Sequence, residues 1–311
     1  MARGQIPTLR GNVTKEQLGS FIDIHEHVYT DPPLSRMIVD RDYKIADPAA
    51  MVQELKEYAE AGCKTLVDCT CLDYGRNAKI MLDIAEQVPE MNILGVTGWN
   101  RGNYAEWTAR CTKEEMVALM LRDIEEGMDG TNAKPALIKI GTDYNKILPI
   151  EQTIMEAAGT VHKLTGTPII THTHLGTMCL EQVETLSANG VDPNLIAISH
   201  MDHNLDFYYL SRLMKGGSYA LFCAIGQTKY CTDERRIEMI QRICDAGLED
   251  RLLISGDFGR ASYIKAMGGG PGFAWIIKKF VARLREEGFP PNFIDKVFRD
   301  NPARLLAGET R

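Results

Sequence analysis

The sequence predicts an α/β protein, a (β/α)8 or TIM barrel formed by one domain over residues 1–311. Short apolar segments rich in Val, Ile and Leu recur eight times along the chain, and longer amphipathic segments separate them. Such segments, without polar alternation, are typical of strands that are covered on both faces. Eight parallel strands close a barrel. An open doubly wound sheet is the alternative, but no glycine-rich dinucleotide loop follows the first strand.

Each apolar segment is assigned to one strand, and the segments between strands carry helix-end signals. One predicted helix begins after Asp47, which precedes a proline, and ends at Gly62. Thr112 followed by Glu115 predicts a capping box at the start of another. The predicted strands are 21–24, 64–69, 92–98, 136–140, 168–172, 195–199, 218–223 and 252–256.

Composition narrows the functional classes. The formal charge of −7 and the lack of a basic run disfavour nucleic acid as a partner. No apolar stretch approaches the roughly 20 residues that span a bilayer, and the N-terminal segment lacks a secretory pattern, so we expect a cytoplasmic protein that is not membrane-bound. The eight cysteines are scattered, and in this compartment we expect free thiols instead of a disulfide framework.

Six polar residues stand at or just past the ends of predicted strands. Active sites of this fold collect at the C-terminal ends of strands. Residues i and i+2 of a strand share a side, so the H-x-H after strand one converges on a single point. Four imidazoles and one carboxylate suit zinc and similar divalent ions. The candidate metal ligands are His25, His27, Lys139, His172, His200 and Asp257.

Lys139 requires a separate explanation, because an ammonium beside two dications would be repelled. Its neighbours Ile138 and Ile140 would face the helices, which turns the lysine towards the barrel interior. A neutral amine can add carbon dioxide to give an anionic carbamate with two oxygens. That group can bridge two metals roughly 3.5–4 Å apart. The alternative is a lysine whose head group reaches water.

The remaining histidines are less informative. His172 and His174 share a face, and spacing alone does not decide between them. We choose His172 as the ligand because it ends the strand, and expect His174 in the following loop, where its contribution stays open. His203 and His162 have no strand-end placement, so we expect a loop residue and a helix residue.

With these motifs, the chain resembles the phosphotriesterase-like family of the amidohydrolase superfamily over nearly its full length. The resemblance rests on H-x-H, IKIGT, TGTPIITHT, ISH, SGD and the closing NPARLL. It implies a barrel with two divalent metals, usually zinc. It implies His25, His27 and Asp257 on the buried metal and His172 and His200 on the exposed one. Carboxylated Lys139 would bridge the two.

The predicted reaction follows from general chemistry. A hydroxide bridging two metals exists at neutral pH because the cations lower the pKa of water. It would attack a carbonyl or phosphoryl group polarised by the exposed metal. Asp257 would take the proton and pass it towards the leaving oxygen. We therefore expect a metal-dependent hydrolase.

The loops after strands seven and eight point to a phosphorylated substrate, since in this fold they are a frequent phosphate-binding place. A phosphate can be bound by the charge of a lysine ammonium, by the paired hydrogen bonds of an arginine guanidinium and by the hydrogen bond of a tyrosine hydroxyl. R-x-x-Y followed by GGGPG resembles the sugar-lactone-phosphate branch of the family. That resemblance implies hydrolysis of a pentonolactone 5-phosphate in sugar catabolism, with Lys229, Arg260 and Tyr263 as phosphate ligands.

Other details are weaker. Asn100 or Arg101, after strand three, is a candidate for contacting the sugar. A homodimer is expected by family resemblance alone.

Three rival functions remain. A phosphotriesterase or general lactonase would need an apolar pocket, against which the loop cations argue. A metal-dependent deoxyribonuclease of the same fold resembles this site but carries glutamate in place of Lys139, and the acidic charge disfavours DNA. A non-catalytic ligand-binding barrel would be supported by a missing metal ligand, and none is missing.

Overall fold

The computed structural model describes residues 4–102 and 104–310. Its centre is a parallel sheet of eight strands that pair in chain order, which forms a nearly closed barrel and confirms the predicted (β/α)8 fold. A short antiparallel hairpin, which the sequence did not predict, precedes it. The strands are β1 Ile6–Thr8, β2 Gly11–Val13, β3 Ile22–Glu26, β4 Thr65–Asp68, β5 Asn92–Gly98, β6 Pro135–Thr142, β7 Ile169–Thr173, β8 Ile196–Ser199, β9 Tyr219–Phe222 and β10 Leu252–Ile254.

The first and last barrel strands meet through a serine side chain. The backbone N–H of His25 donates to Ser255 Oγ at 3.0 Å, and Ser255 Oγ donates to the His25 carbonyl at 2.8 Å. The N–H of Asp257 donates to the same carbonyl at 3.0 Å. The seam of the barrel is therefore tied to two of the predicted metal ligands.

Apolar side chains form two separate layers, as alternation along buried strands requires. Val67, Leu94 and Leu137 belong to a cluster inside the barrel. Ile138 and Ile140 belong to the larger cluster between the strands and the helices. This parity confirms that the position between those two isoleucines faces the barrel interior.

The helices begin and end where their caps predict. Asp47 Oδ1 accepts from the Ala50 N–H at 3.0 Å, and Gly62 closes the same helix at φ 115°. Thr112 and Glu115 form the predicted capping box. The helices are α1 Leu34–Met37, α2 Pro48–Ala61, α3 Ala78–Glu86, α4 Glu106–Arg110, α5 Lys113–Glu125, α6 Pro149–Thr165, α7 Cys179–Ala188, α8 Phe207–Lys215, α9 Asp233–Asp245, α10 Ala282–Glu286, α11 Pro291–Asp295 and α12 Asn301–Leu306, with π-helical turns at Ile276–Val281 and Lys296–Asp300.

Three further expectations bear on the whole chain. All eight cysteines are free, as predicted. Among the residues that the structure describes, none of the helices is long and apolar enough to cross a membrane. The assignment of residues 1–311 to one domain stays a prediction.

Candidate metal centre

A cavity of about 280 Å³ opens at the C-terminal ends of the barrel strands. Its wall contains every residue that the sequence singled out for the site. The six candidate metal ligands and the three candidate phosphate ligands all line it: His25, His27, Lys139, His172, His200, Asp257, Lys229, Arg260 and Tyr263. The structure therefore brings together residues that lie up to 238 positions apart in the sequence.

Three of these side chains converge on one point. Nε2 of His25 lies 3.6 Å and Nε2 of His27 lies 3.3 Å from Asp257 Oδ1. The opposite ring nitrogens are held by hydroxyls, Nδ1 of His25 by Ser199 Oγ at 3.0 Å and Nδ1 of His27 by Thr70 Oγ1 at 2.9 Å. Hydrogen bonds on the outer nitrogen are how proteins orient a metal-binding imidazole.

A register shift in β3 explains why His25 reaches this point. Ile22 and Ile24 face the barrel interior, so regular alternation would send residue 25 outward. The pairing of β3 with β4 slips between Asp23 and Glu26. Such a bulge re-aims the following side chains, and bulges are common beside active sites.

Two other histidines form a second convergence. Nδ1 of His172 lies 2.7 Å from Nε2 of His200. Arg101 Nε donates to Nε2 of His172 at 2.9 Å, and Cys223 Sγ lies 3.1 Å from Nδ1 of His200. The backbone of His200 lies in the left-handed region at φ 64°, a conformation that is common at functional sites, and its ring lines the cavity.

Lys139 lies between the two groups. The residue is only 1% exposed, and its Nζ is 3.4 Å from Nε2 of His25. In residues 4–102 and 104–310 no carboxylate lies within 4.0 Å of this nitrogen to form an ion pair. The strand β6 extends to Thr142, so Lys139 lies inside the strand and not at its end as predicted. A buried lysine without an anionic partner is costly as an ammonium.

The electrostatics of the cavity favour neutral imidazoles. Burial is the largest cause that lowers the pKa of His25, His172 and His200. Neutral imidazole is the form that binds a metal. Ligand atoms of His25, His27 and Asp257 lie within 4.8 Å of one another. The donor types and their convergence therefore fit a divalent cation.

The candidate phosphate ligands form the outer wall. Lys229 Nζ lies 4.7 Å from the ring centre of Tyr230 and 5.3 Å from that of Tyr263. Arg260 lies over the ring of Tyr43 at 4.5 Å and forms an ion pair with Asp40. That carboxylate partner was not predicted, because the two residues are 220 positions apart.

The other histidines divide as follows. His174 lines the cavity and its Nδ1 lies 3.1 Å from Asp143 Oδ1, outside both groups. His162 lies in α6, as predicted, and pairs with the Thr167 carbonyl. His203 does lie in a loop segment, but the sequence reasoning missed that this segment forms part of the cavity wall. Asn100 and Arg101 also line the cavity.

Comparisons with known proteins agree with this geometry. The model of the phosphotriesterase family matches residues 4–306. A phospho-furanose lactonase of Mycoplasmopsis synoviae is 32% identical over 96% of this chain and 91% of its own. The crystal structure of a lactonase from Listeria monocytogenes is similar with a TM-score of 0.93, at 33% identity over 98% of this chain and all of that one.

A third relative is the phosphotriesterase homology protein of Escherichia coli, whose crystal structure contains phosphate in its active site. It is similar with a TM-score of 0.89, at 33% identity over 94% of this chain and 99% of that one. These relatives confirm the predicted class of enzyme, a metal-dependent hydrolase. The chain belongs to the phosphotriesterase family.

Proposed function

We propose that this protein is a dinuclear metal-dependent lactonase that hydrolyses a phosphorylated sugar 1,4-lactone of the pentonolactone 5-phosphate type. One observation carries the proposal: the cavity that holds the convergent histidines also exposes Lys229, Arg260 and Tyr263 on its outer wall. A cavity lined by both convergent ligand atoms and these phosphate-binding side chains suits a substrate that carries a reactive carbonyl and a phosphate.

The metal centre would be held in two parts. His25, His27 and Asp257 would bind the buried cation, and His172 and His200 the exposed one. Zinc is proposed from the donor types. When bound, the cations would supply an acidified water and polarise the lactone carbonyl. Asp257, whose Oδ1 lies beside two imidazoles, would accept the water's proton and pass it to the leaving ring oxygen.

Lys139 is proposed to act as a carboxylated bridging ligand. Its side chain is buried, and no carboxylate lies within ion-pair distance of it in the described chain, so a carbamate would supply the anion that the site otherwise lacks. Addition of carbon dioxide to the neutral amine forms an N–C bond and releases one proton. The product carries one negative charge shared by two oxygens, so it would offer an oxygen ligand to each cation and offset part of their charge.

The phosphate is proposed to lie against Lys229 and Tyr263, with Arg260 beside them. The lysine is held over two rings and the tyrosine hydroxyl is a donor, so both present hydrogen atoms to an anion. Two relatives support this assignment, one named a phospho-furanose lactonase and one with phosphate in its active site. A homodimer and a role in sugar catabolism stay predictions from the family resemblance.

The experiment compares three substrates on one zinc-loaded preparation: a pentono-1,4-lactone 5-phosphate, a lipophilic γ-lactone and a neutral phosphate triester. We expect the highest kcat/KM for the first, because only that substrate uses the cationic wall. A higher kcat/KM for the triester or the lipophilic lactone would replace the proposal with the phosphotriesterase or general lactonase reading.

A further inference from the structure

His203 is an unexplained side chain in the wall of the cavity. It ends the short turn Met201–His203 that follows β8, three residues after His200. Both of its ring nitrogens are buried, yet neither has a hydrogen-bond partner within residues 4–102 and 104–310. A buried polar group without a partner costs free energy and calls for an explanation such as a missing ligand.

The other histidines do not share this property. Every one of them has a hydrogen-bond partner on at least one ring nitrogen: His25, His27, His162, His172, His174 and His200. His203 is thus the exception among the seven histidines of the chain. Its free nitrogens are a local feature of the cavity wall and not a general property of buried imidazoles in this fold.

The ring of His203 packs against two neighbouring rings. The ring of Tyr230 stacks on it with centres 3.6 Å apart and planes at 19°. The ring of His200 lies 5.0 Å away at 30°. Stacking of this kind orients the plane of the imidazole but uses neither nitrogen. The cavity wall therefore contains an oriented imidazole whose two nitrogens have no partner in the described chain.

The neighbours of His203 place it between the two ends of the proposed substrate. His200 belongs to the proposed metal end, and Tyr230 carries Lys229 at 4.7 Å from its ring centre, at the proposed phosphate end. A lactone with its carbonyl at the metal end and its phosphate at the phosphate end would place its sugar ring beside His203. A neutral imidazole offers one donor and one acceptor, which matches a hydroxyl group that both donates and accepts.

We propose that His203 hydrogen-bonds a ring hydroxyl of the lactone and thereby selects hydroxylated sugar lactones over deoxy analogues. This inference rests on the proposed function for the position of the substrate. It assigns His203 a role in specificity, separate from metal binding and from the proton transfer at Asp257. Sites built to hydrogen-bond a hydroxyl discriminate strongly against analogues that lack it, because the polar group of the protein is then left unpaired.

The test uses His203→Phe, which keeps a stacking ring and removes both nitrogens, and His203→Asn, which keeps a donor and an acceptor. The substrates are a pentono-1,4-lactone 5-phosphate and its 2-deoxy and 3-deoxy analogues. We expect wild-type kcat/KM to favour the full substrate over one analogue by about tenfold or more. His203→Phe should reduce that ratio to near one, and His203→Asn should restore part of it.

Equal losses of kcat/KM on all three substrates, with the selectivity ratio unchanged, would overturn the inference and leave His203 a packing role. Metal content and Tm identify a variant that has not folded. If His203→Phe fails to fold, His203→Leu replaces it as a second variant that lacks both ring nitrogens. The same ratio is measured on unphosphorylated lactones. Hydroxyl selectivity without any effect of the phosphate would overturn the substrate assignment and keep the role of His203.

Discussion

Lys139 Nζ lies 3.4 Å from Nε2 of His25, in the interior of the barrel and without a carboxylate at ion-pair distance in the described chain. We expect Lys139→Ala to lose most of its bound metal and its activity, because the bridging anion is removed. Metal content by atomic emission and kcat/KM measure both effects. Added formate or propionate should restore part of each, since a small carboxylate can occupy the vacated space.

Lys215→Ala is the matched control, because Lys215 is an exposed lysine at the end of α8 and is not among the residues that line the cavity. It should keep full metal content and activity. Retention of two metals per chain and of full activity by Lys139→Ala would refute the bridging role.

Asp257 tests the proton transfer. Asp257→Asn should lower kcat by about 10²–10⁴-fold, because the amide cannot accept the proton of the attacking water. Asparagine tolerates the positive φ of 48° at this position, so the backbone should be preserved. Steady-state kinetics on the variant loaded to equal metal content measure the effect, and Asp245→Asn at the end of α9 is the control. A kcat near that of the wild type would exclude Asp257 as the proton acceptor.

Arg260 tests the phosphate end of the cavity. Arg260→Ala should raise KM for a phosphorylated lactone far more than for its unphosphorylated counterpart, since only the former carries the anion that a guanidinium binds. Arg235→Ala, on the exposed face of α9, removes an equal charge outside the cavity and should change neither KM. Equal losses on both substrates would remove Arg260 from the phosphate site.

Asp40 competes for the same guanidinium, because it forms an ion pair with Arg260 at a partly exposed position. Asp40→Asn should therefore lower KM for the phosphorylated lactone by about two- to fivefold, the range expected for a partly exposed pair. KM for the unphosphorylated lactone should not change. Asp31→Asn, which breaks the Asp31–Lys44 ion pair near the same loop, is the control. An unchanged KM for the phosphorylated substrate would show that Asp40 does not oppose phosphate binding.

Much of this architecture follows from local sequence patterns. The eight strands and the caps at Asp47 and Thr112 lie where predicted, because buried strands and helix ends depend on nearby residues. The candidate ligands were found because active-site residues of a barrel follow its strands. Closure of the barrel brings these strand ends to one rim.

Other features depend on contacts that no local pattern encodes. The register shift between Asp23 and Glu26 turns His25 inward against the alternation of its own strand. The backbone of His200 adopts a positive φ, which the residue type does not predict. The ion pair of Arg260 with Asp40 joins two loops from opposite ends of the chain. The sequence did not indicate a role for His203, because its distinguishing feature is a pair of ring nitrogens without hydrogen-bond partners. That feature depends on the folded cavity wall.

The most direct test of the account is proton release by the zinc-loaded enzyme from matched pentonolactones with and without a 5-phosphate. The account predicts a strong preference for the phosphorylated lactone, because Lys229, Arg260 and Tyr263 line the same cavity as the proposed metal ligands. Equal or faster turnover of the unphosphorylated lactone would contradict the proposed substrate and return the enzyme to the general lactonase class.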